Sequence, residues 1–244
     1  SFNELFHGGN FIPFNGICLT DTFQQYEIKR TTQPLQDEVL YENYNRIIEQ
    51  ENIPLKIIIS TPPYAAKQQE ADIQNEKYEL LDSRITKTYV KKTIATSVNT
   101  VYDPYIKAFR WASDRLDPVN GGIIGFVSNG NWLDNNSFDG FRKCLEKEFS
   151  SIYVFNLRGN CRTSGELRRK EAGNIFGLGS RTPIAITILV KNPKAKRDKA
   201  EIRYHDIGDY LTREQKLEII KESLIYSDDQ NETLLNKLSK FDCM

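Results

Sequence analysis

The chain holds 244 residues, which at roughly 150 residues per domain suggests one large domain or one domain with an appendage. Lys+Arg and Asp+Glu are equal at 33 each, so a bulk polycation that coats nucleic acid by charge alone is excluded, though a local basic patch is not. Mean hydropathy is −0.54, and the longest apolar runs, such as Leu55–Ile59 (broken by Lys56) and Ile184–Val190, are far short of the ~20 residues that span a bilayer.

In chain order, residues 1–14 are rich in glycine and aromatics and read as irregular. Gly16–Thr20, a short apolar run closed by Asp21, predicts a buried strand. Asp37–Gln50 predicts a helix. Leu55–Ser60 is short and β-branched, the profile of a parallel strand. It stops at Thr61-Pro62-Pro63-Tyr64, where two prolines forbid further ladder bonding. Asp82–Lys92 reads as helical. Asp103-Pro104 is a helix start, an N-cap with proline at the first helical position, and Tyr105, Phe109, Ala112 and Leu116 then share one face. Gly121-Gly122 turns the chain into a strand over Ile123–Ser128. Ser137 is expected to cap a helix that aligns Phe138, Phe141, Leu145 and Phe149. Ile152–Leu157 and Pro183–Val190 are the next strands. Beyond the basic stretch Lys191–Lys199 come a strand over Glu201–His205, a helix from Thr212 with Gln215 at the capping-box position, and a last helix after Ser227.

This pattern predicts an α/β fold with a mostly parallel, Rossmann-like sheet. The expected division is a core over 1–192, a basic linker over 193–200, and a helical appendage, or the start of a target-recognition region, over 201–244. Ligands in such sheets bind at the carboxyl ends of strands, here Asp21, Ser60–Tyr64 and Ser128-Asn129. Four scattered cysteines (Cys18, Cys144, Cys161, Cys243) and two histidines (His7, His205) support neither a disulfide framework nor a metal centre, so no metal is expected. His205 reads as structural. The only Met is Met244 and the chain opens at Ser1, which suggests a processed chain or part of a longer gene product. With no charged-then-apolar leader at the start, the expected location is the cytoplasm, with no membrane partner.

The most informative tetrapeptide is Thr61-Pro62-Pro63-Tyr64. Neither proline offers an N–H, so a ligand meets only carbonyl oxygens there, and the tyrosine offers a ring face. That ledge suits a nucleobase whose exocyclic amine is held by acceptors. Arg158–Arg181 carries Arg158, Arg162, Arg168, Arg169, Lys170 and Arg181 against only Glu166 and Glu171. Such a segment suits the phosphate backbone of double-stranded DNA, positioning the duplex without reading its sequence.

The chain resembles the amino-group DNA methyltransferases that modify adenine N6, whose signature is Asn-Pro-Pro-Tyr after a sheet strand. More narrowly it resembles the methyltransferase core of single-polypeptide bacterial restriction-modification enzymes. The matching stretches are Thr61–Tyr64, Tyr102–Arg115, Gly122–Asn129 with Trp132, Asp139–Cys144, Tyr153–Gly165 and Phe176–Val190. The resemblance implies methyl transfer from S-adenosylmethionine to an adenine flipped out of the duplex. Carried over by position, Pro62 supplies a carbonyl to the amine, Tyr64 and Phe176 stack on the base, and Asp21 contacts the cofactor. Two departures stand out. Thr61 occupies the place of the motif's asparagine, with an oxygen about one bond closer to the backbone on a stiff β-branched side chain. The glycine-rich cofactor loop expected before the Pro-Pro motif is missing, since only Gly8, Gly9 and Gly16 precede it. The expectation is therefore a core incomplete at its N-terminal side, completed by an upstream segment or a separate chain. The competing expectation is a non-catalytic DNA-binding or assembly module derived from such an enzyme.

Overall fold

In the computed structural model, the described residues are 16–27, 38–63, 78–177 and 180–225. The chain divides into two compact units, Ser1–Ile53 and Pro54–Met244.

In the first unit, α1 (Glu38–Asn52) follows the predicted helix closely. The expected strand over Gly16–Thr20 does not form. A strand needs a partner edge for its backbone, and here a side chain takes that part: the Leu19 N–H donates to Asn43 Oδ1 (2.7 Å) and Asn43 Nδ2 donates to the Leu19 carbonyl (2.9 Å). Ile17 and Leu19 remain exposed.

The second unit is built on a five-stranded sheet. In chain order its elements are β1 (Ile57–Ser60), α2 (Glu79–Ile85, continued by a π-helical turn over Thr86–Val90), α3 (Pro104–Arg115), β2 (Gly122–Asn129), α4 (Asp139–Glu148), β3 (Ser151–Arg158), α5 (Gly165–Glu171), β4 (Ile184–Lys191), β5 (Glu201–Asp206) and α6 (Arg213–Ile225). The strand order is β1-β2-β4-β3-β5. Pairing is parallel for β1/β2 and β3/β5 and antiparallel for β2/β4 and β3/β4. Four strands therefore point one way and β4 alone is reversed, so the sheet is mixed. Residues 201–225 are part of this unit, because β5 pairs with β3 along its whole length. The basic stretch 193–200 is thus a connection within the sheet unit rather than a domain linker.

One face of the sheet packs on α3 and α4. Proline at the first helical position starts α3, and Tyr105, Phe109, Ala112 and Leu116 are buried as the periodicity predicts. Phe109 meets Phe126 of β2 edge-on, with ring centroids 4.9 Å apart, and Phe141 of α4 at 5.3 Å. Gly140 allows α4 to approach the π-helical turn, because a Cβ there would stand 2.0 Å from the Tyr89 carbonyl oxygen. Ser137 is not the cap of α4; Asn135 accepts from the Ser137 N–H (2.9 Å) in the turn that precedes the helix. Arg110 is almost fully buried and bonds Asp114 (2.6 Å) and Glu148 (2.9 Å), so its charge is paired as burial requires.

The other face is covered only in part. Leu157, Ile175, Ile184 and Ile207 form a core with Val127, Phe155, Ile186, Leu211, Ile219 and Ile220. Toward β1 that cover ends. Ile57 is 64% exposed and Ile59 82%, while Ile58, pointing to the other face, is buried.

Candidate functional site at the carboxyl end of the sheet

Four strands finish at one end of the sheet, and β4, being reversed, starts there. The Gly130 N–H donates to the Pro183 carbonyl (2.8 Å), tying the exit of β2 to the entry of β4. Asn129 Oδ1 accepts from the Asn131 N–H (2.9 Å) and starts the turn Gly130–Trp132. Helix α3 also begins at this end. Its last turn lies at the start of β1, where Leu55 and Leu116 form a bridge and the Asp117 N–H donates to the Leu55 carbonyl (2.9 Å). Asp103 precedes α3 without a side-chain cap bond. Burial raises its carboxyl to about 6, and the Arg162 guanidinium pulls the other way. The loop after β3 therefore lies near the start of α3.

Of the residues expected to carry chemistry, Thr61 and Pro63 are exposed and Pro62 is buried, directly after β1. Tyr64 lies outside the described residues. Phe176 is 45% exposed, and its N–H donates to Asn174 Oδ1 (3.0 Å). Asp21 belongs to the first unit, where its carboxylate accepts from the Phe23 N–H (2.9 Å) ahead of the single helical turn Gln24–Glu27. His205 packs its ring on Phe155 at 4.9 Å, in keeping with a structural part. Among the described residues no cluster of His, Cys, Asp or Glu is arranged to hold a metal, and no helix is long and apolar enough to cross a membrane.

The basic segment is more ordered than its composition suggests. It contains α5 and is stapled at its base by Asn174, whose Nδ2 donates to the carbonyls of Gly159 (3.1 Å) and Thr182 (2.8 Å). Its six cations fall into two groups. Arg158 bonds Asp206 (2.6 Å) and Asp209. Burial works against the charge of Asp206, but the Arg158 guanidinium holds its carboxyl below the usual range. Lys170 also pairs with Asp209 (3.4 Å). Arg168 donates to the Ala172 carbonyl (2.7 Å) at the end of α5. Arg162, Arg169 and Arg181 are exposed; Arg169 has one ion pair with Glu166 (3.3 Å), itself exposed, a contact worth little against solvent.

Sequence reasoning missed two parts of this site. Asp206 and Asp209, beyond the basic stretch, neutralise cations that had been assigned to phosphate. Lys216 of α6 is fully buried and donates to the carbonyls of Leu157 (2.9 Å), Glu171 (2.9 Å) and Gly173 (2.7 Å). Burial lowers its ammonium to about 8, with Glu171 opposing. The signal for Lys216 was present: it shares a helical stripe with Ile219 and Ile220 at i+3 and i+4, where a lysine is out of place.

No protein-family model matches the chain, and no curated protein matches it. Solved structures do. The open α/β sheet matches a region of restriction-modification enzymes, to which the chain is similar in sequence and in fold. Within that class it is similar to the Type ISP kind. A nuclease-deletion mutant of the Type ISP restriction-modification enzyme LlaGI, in complex with a DNA substrate mimic, is 46% identical with a TM-score of 0.81, over 93% of this chain and 18% of that one. The ATP-dependent Type ISP enzyme LlaBIII, bound to DNA, is 36% identical with a TM-score of 0.82, over 96% and 15%. DrdV in a DNA complex is 32% identical with a TM-score of 0.78, over 96% and 21%. The chain thus spans about a fifth or less of the length of these relatives.

Proposed function

We propose that this chain carries the target-base side of an adenine-N6 DNA methyltransferase core in a restriction-modification system. The observation that carries the reading is the position of Thr61-Pro62-Pro63. It directly follows β1, at the same sheet end as Phe176 and the exposed cations of the basic segment. Double-stranded DNA lies along Arg162, Arg169 and Arg181, and a flipped adenine enters beside the proline ledge. The Pro62 carbonyl accepts one N–H of the adenine amine, and Phe176 and Tyr64 cover the ring faces. The Thr61 hydroxyl reaches less far than the asparagine of the family motif, so the second amine proton is poorly held. The loss of one such contact costs on the order of 10²–10³ in rate.

The described residues do not by themselves fit S-adenosylmethionine. Among the described residues no glycine-rich turn precedes β1, and the Asp21 carboxylate already accepts from the Phe23 N–H. Among the described residues no strand pairs with the outer edge of β1, and we assign the cofactor side to a segment or chain that pairs there. Thr61 also favours a second reading, a DNA-binding module that has lost chemistry. A chimera separates the two, with this chain replacing the matching region of the LlaGI-like relative. On the first reading the chimera methylates DNA slowly and Thr61→Asn speeds it by about 10²–10³. On the second, both forms bind duplex and neither methylates.

A further inference from the structure

The basic segment is anchored from an element that holds none of the site residues expected from the sequence. Helix α6 opens with a capping box, in which Thr212 N donates to Gln215 Oε1 (2.8 Å) and Gln215 N donates to Thr212 Oγ1 (3.3 Å). One residue later it places Lys216, whose three ammonium donors go to three main-chain carbonyls and to no carboxylate. Leu157 is the last buried residue of β3, Glu171 ends α5, and Gly173 starts the return toward β4. A single buried side chain thus joins the sheet to both sides of the bend after α5. The close approach of α6 depends on Gly173, where a Cβ would stand 2.4 Å from the Arg213 nitrogen. Arg213 Nε adds a bond to the Ile175 carbonyl (3.0 Å). The charged groups around the ammonium are Glu171, Arg158, Asp206 and Arg168. A lysine is almost never fully buried unless paired, and burying its charge is costly unless hydrogen bonds compensate it, as the three carbonyls do here.

We propose that Lys216 is the positioning residue of the DNA-facing segment, holding α5 against the sheet so that Arg162, Arg169 and Arg181 stand as a fixed set toward the phosphate backbone. This deepens the DNA reading above and rests on it for the identity of the ligand. Lys216 itself meets no phosphate, being buried. Its loss therefore has a signature different from the loss of a contact cation. Removing a cation that neutralises phosphate flattens the salt dependence of binding by about 0.9 in log–log slope. Loosening the segment lowers affinity but leaves the slope unchanged, because the same cations still reach the same phosphates.

The test uses the whole chain as wild type, Lys216→Met, Lys216→Gln and Arg169→Ala. Hydrogen exchange is read by mass spectrometry, and binding to a short labelled duplex is read over a salt series. For Lys216→Met, amides in residues 158–177 exchange at least about tenfold faster while β2 and β4 keep their protection. Its duplex affinity falls several-fold at unchanged salt slope, whereas Arg169→Ala flattens the slope and leaves exchange unaltered. Unchanged exchange in 158–177, or a slope change equal to that of Arg169→Ala, overturns the proposal. If Lys216→Met loses protection throughout the sheet, Lys216→Gln, which keeps two N–H donors, is read in its place. Loosening confined to 158–177 then supports the positioning part, and loosening spread over the sheet overturns it. A wild-type chain without salt-dependent affinity refutes the DNA reading, while the exchange data still decide whether Lys216 orders the segment.

Discussion

The division of the six cations into engaged and exposed sets a number for DNA binding. From composition alone all six would neutralise phosphate, giving a slope of log K against log salt of about −5.4 at −0.9 per contact. With Arg158 and Lys170 paired to Asp206 and Asp209, carboxylates shared within the fold, and Arg168 bonded to the Ala172 carbonyl, three cations remain, Arg162, Arg169 and Arg181, and the slope becomes about −2.7. Between 50 and 200 mM salt the first case loses on the order of 2,000-fold in affinity and the second about 40-fold. Fluorescence anisotropy of a labelled duplex titrated with the chain over that range separates them. Arg169→Ala then brings the slope to about −1.8, while Arg158→Ala leaves it near −2.7 and lowers stability through the loss of its two carboxylate partners. A slope near −5, or an equal change for Arg158→Ala and Arg169→Ala, would refute the division.

Other outcomes follow from the same geometry. Asp103 titrates at about 6 in the folded chain, above the ordinary ~3.9 of an unfolded aspartate. Its contribution to stability is therefore fully present below the unfolded value and is lost as pH rises through about 6. Arg162→Ala moves the Asp103 titration higher still, read by carboxyl NMR; a downward move contradicts the placement of Arg162 near α3. Arg110→Met removes the cation between Asp114 and Glu148 and leaves Glu148 without that partner. Breaking such a buried pair costs about 3–5 kcal/mol, seen as a lower midpoint in urea, and a change under 1 kcal/mol would show that the pair is not closed. Ile59→Lys at the open edge of β1 leaves the stability of the chain alone nearly unchanged, because the side chain is already exposed. In the LlaGI-like chimera the same substitution lowers stability by about 2 kcal/mol, the transfer value of a buried isoleucine. Equal effects in both settings would argue against a covered β1 face.

Much of the sheet unit was legible because its signals are local. The apolar runs of β1 to β4, the proline start of α3 and the Thr212–Gln215 box each act within a few residues. What was not legible depends on partners far apart in sequence. Gly16–Thr20 has the composition of a strand, but strand formation depends on a neighbour, and Asn43 supplies only a side chain. The reversal of β4 is decided by where the chain returns, not by the residues of β4. The basic segment reads as a loop until Asn174 and Lys216 are seen to pin it, and the acids that silence Arg158 come 48 and 51 residues later. That Thr61-Pro62-Pro63 ends β1 was legible because the signal lies in consecutive residues.

The most direct test of the claim that this chain holds the target-base side and not the cofactor side is a calorimetric titration of the chain with S-adenosylmethionine. The account predicts no saturable heat at micromolar concentration. Saturable one-to-one binding at that level would contradict it, since a complete cofactor site would then exist without further strands on β1.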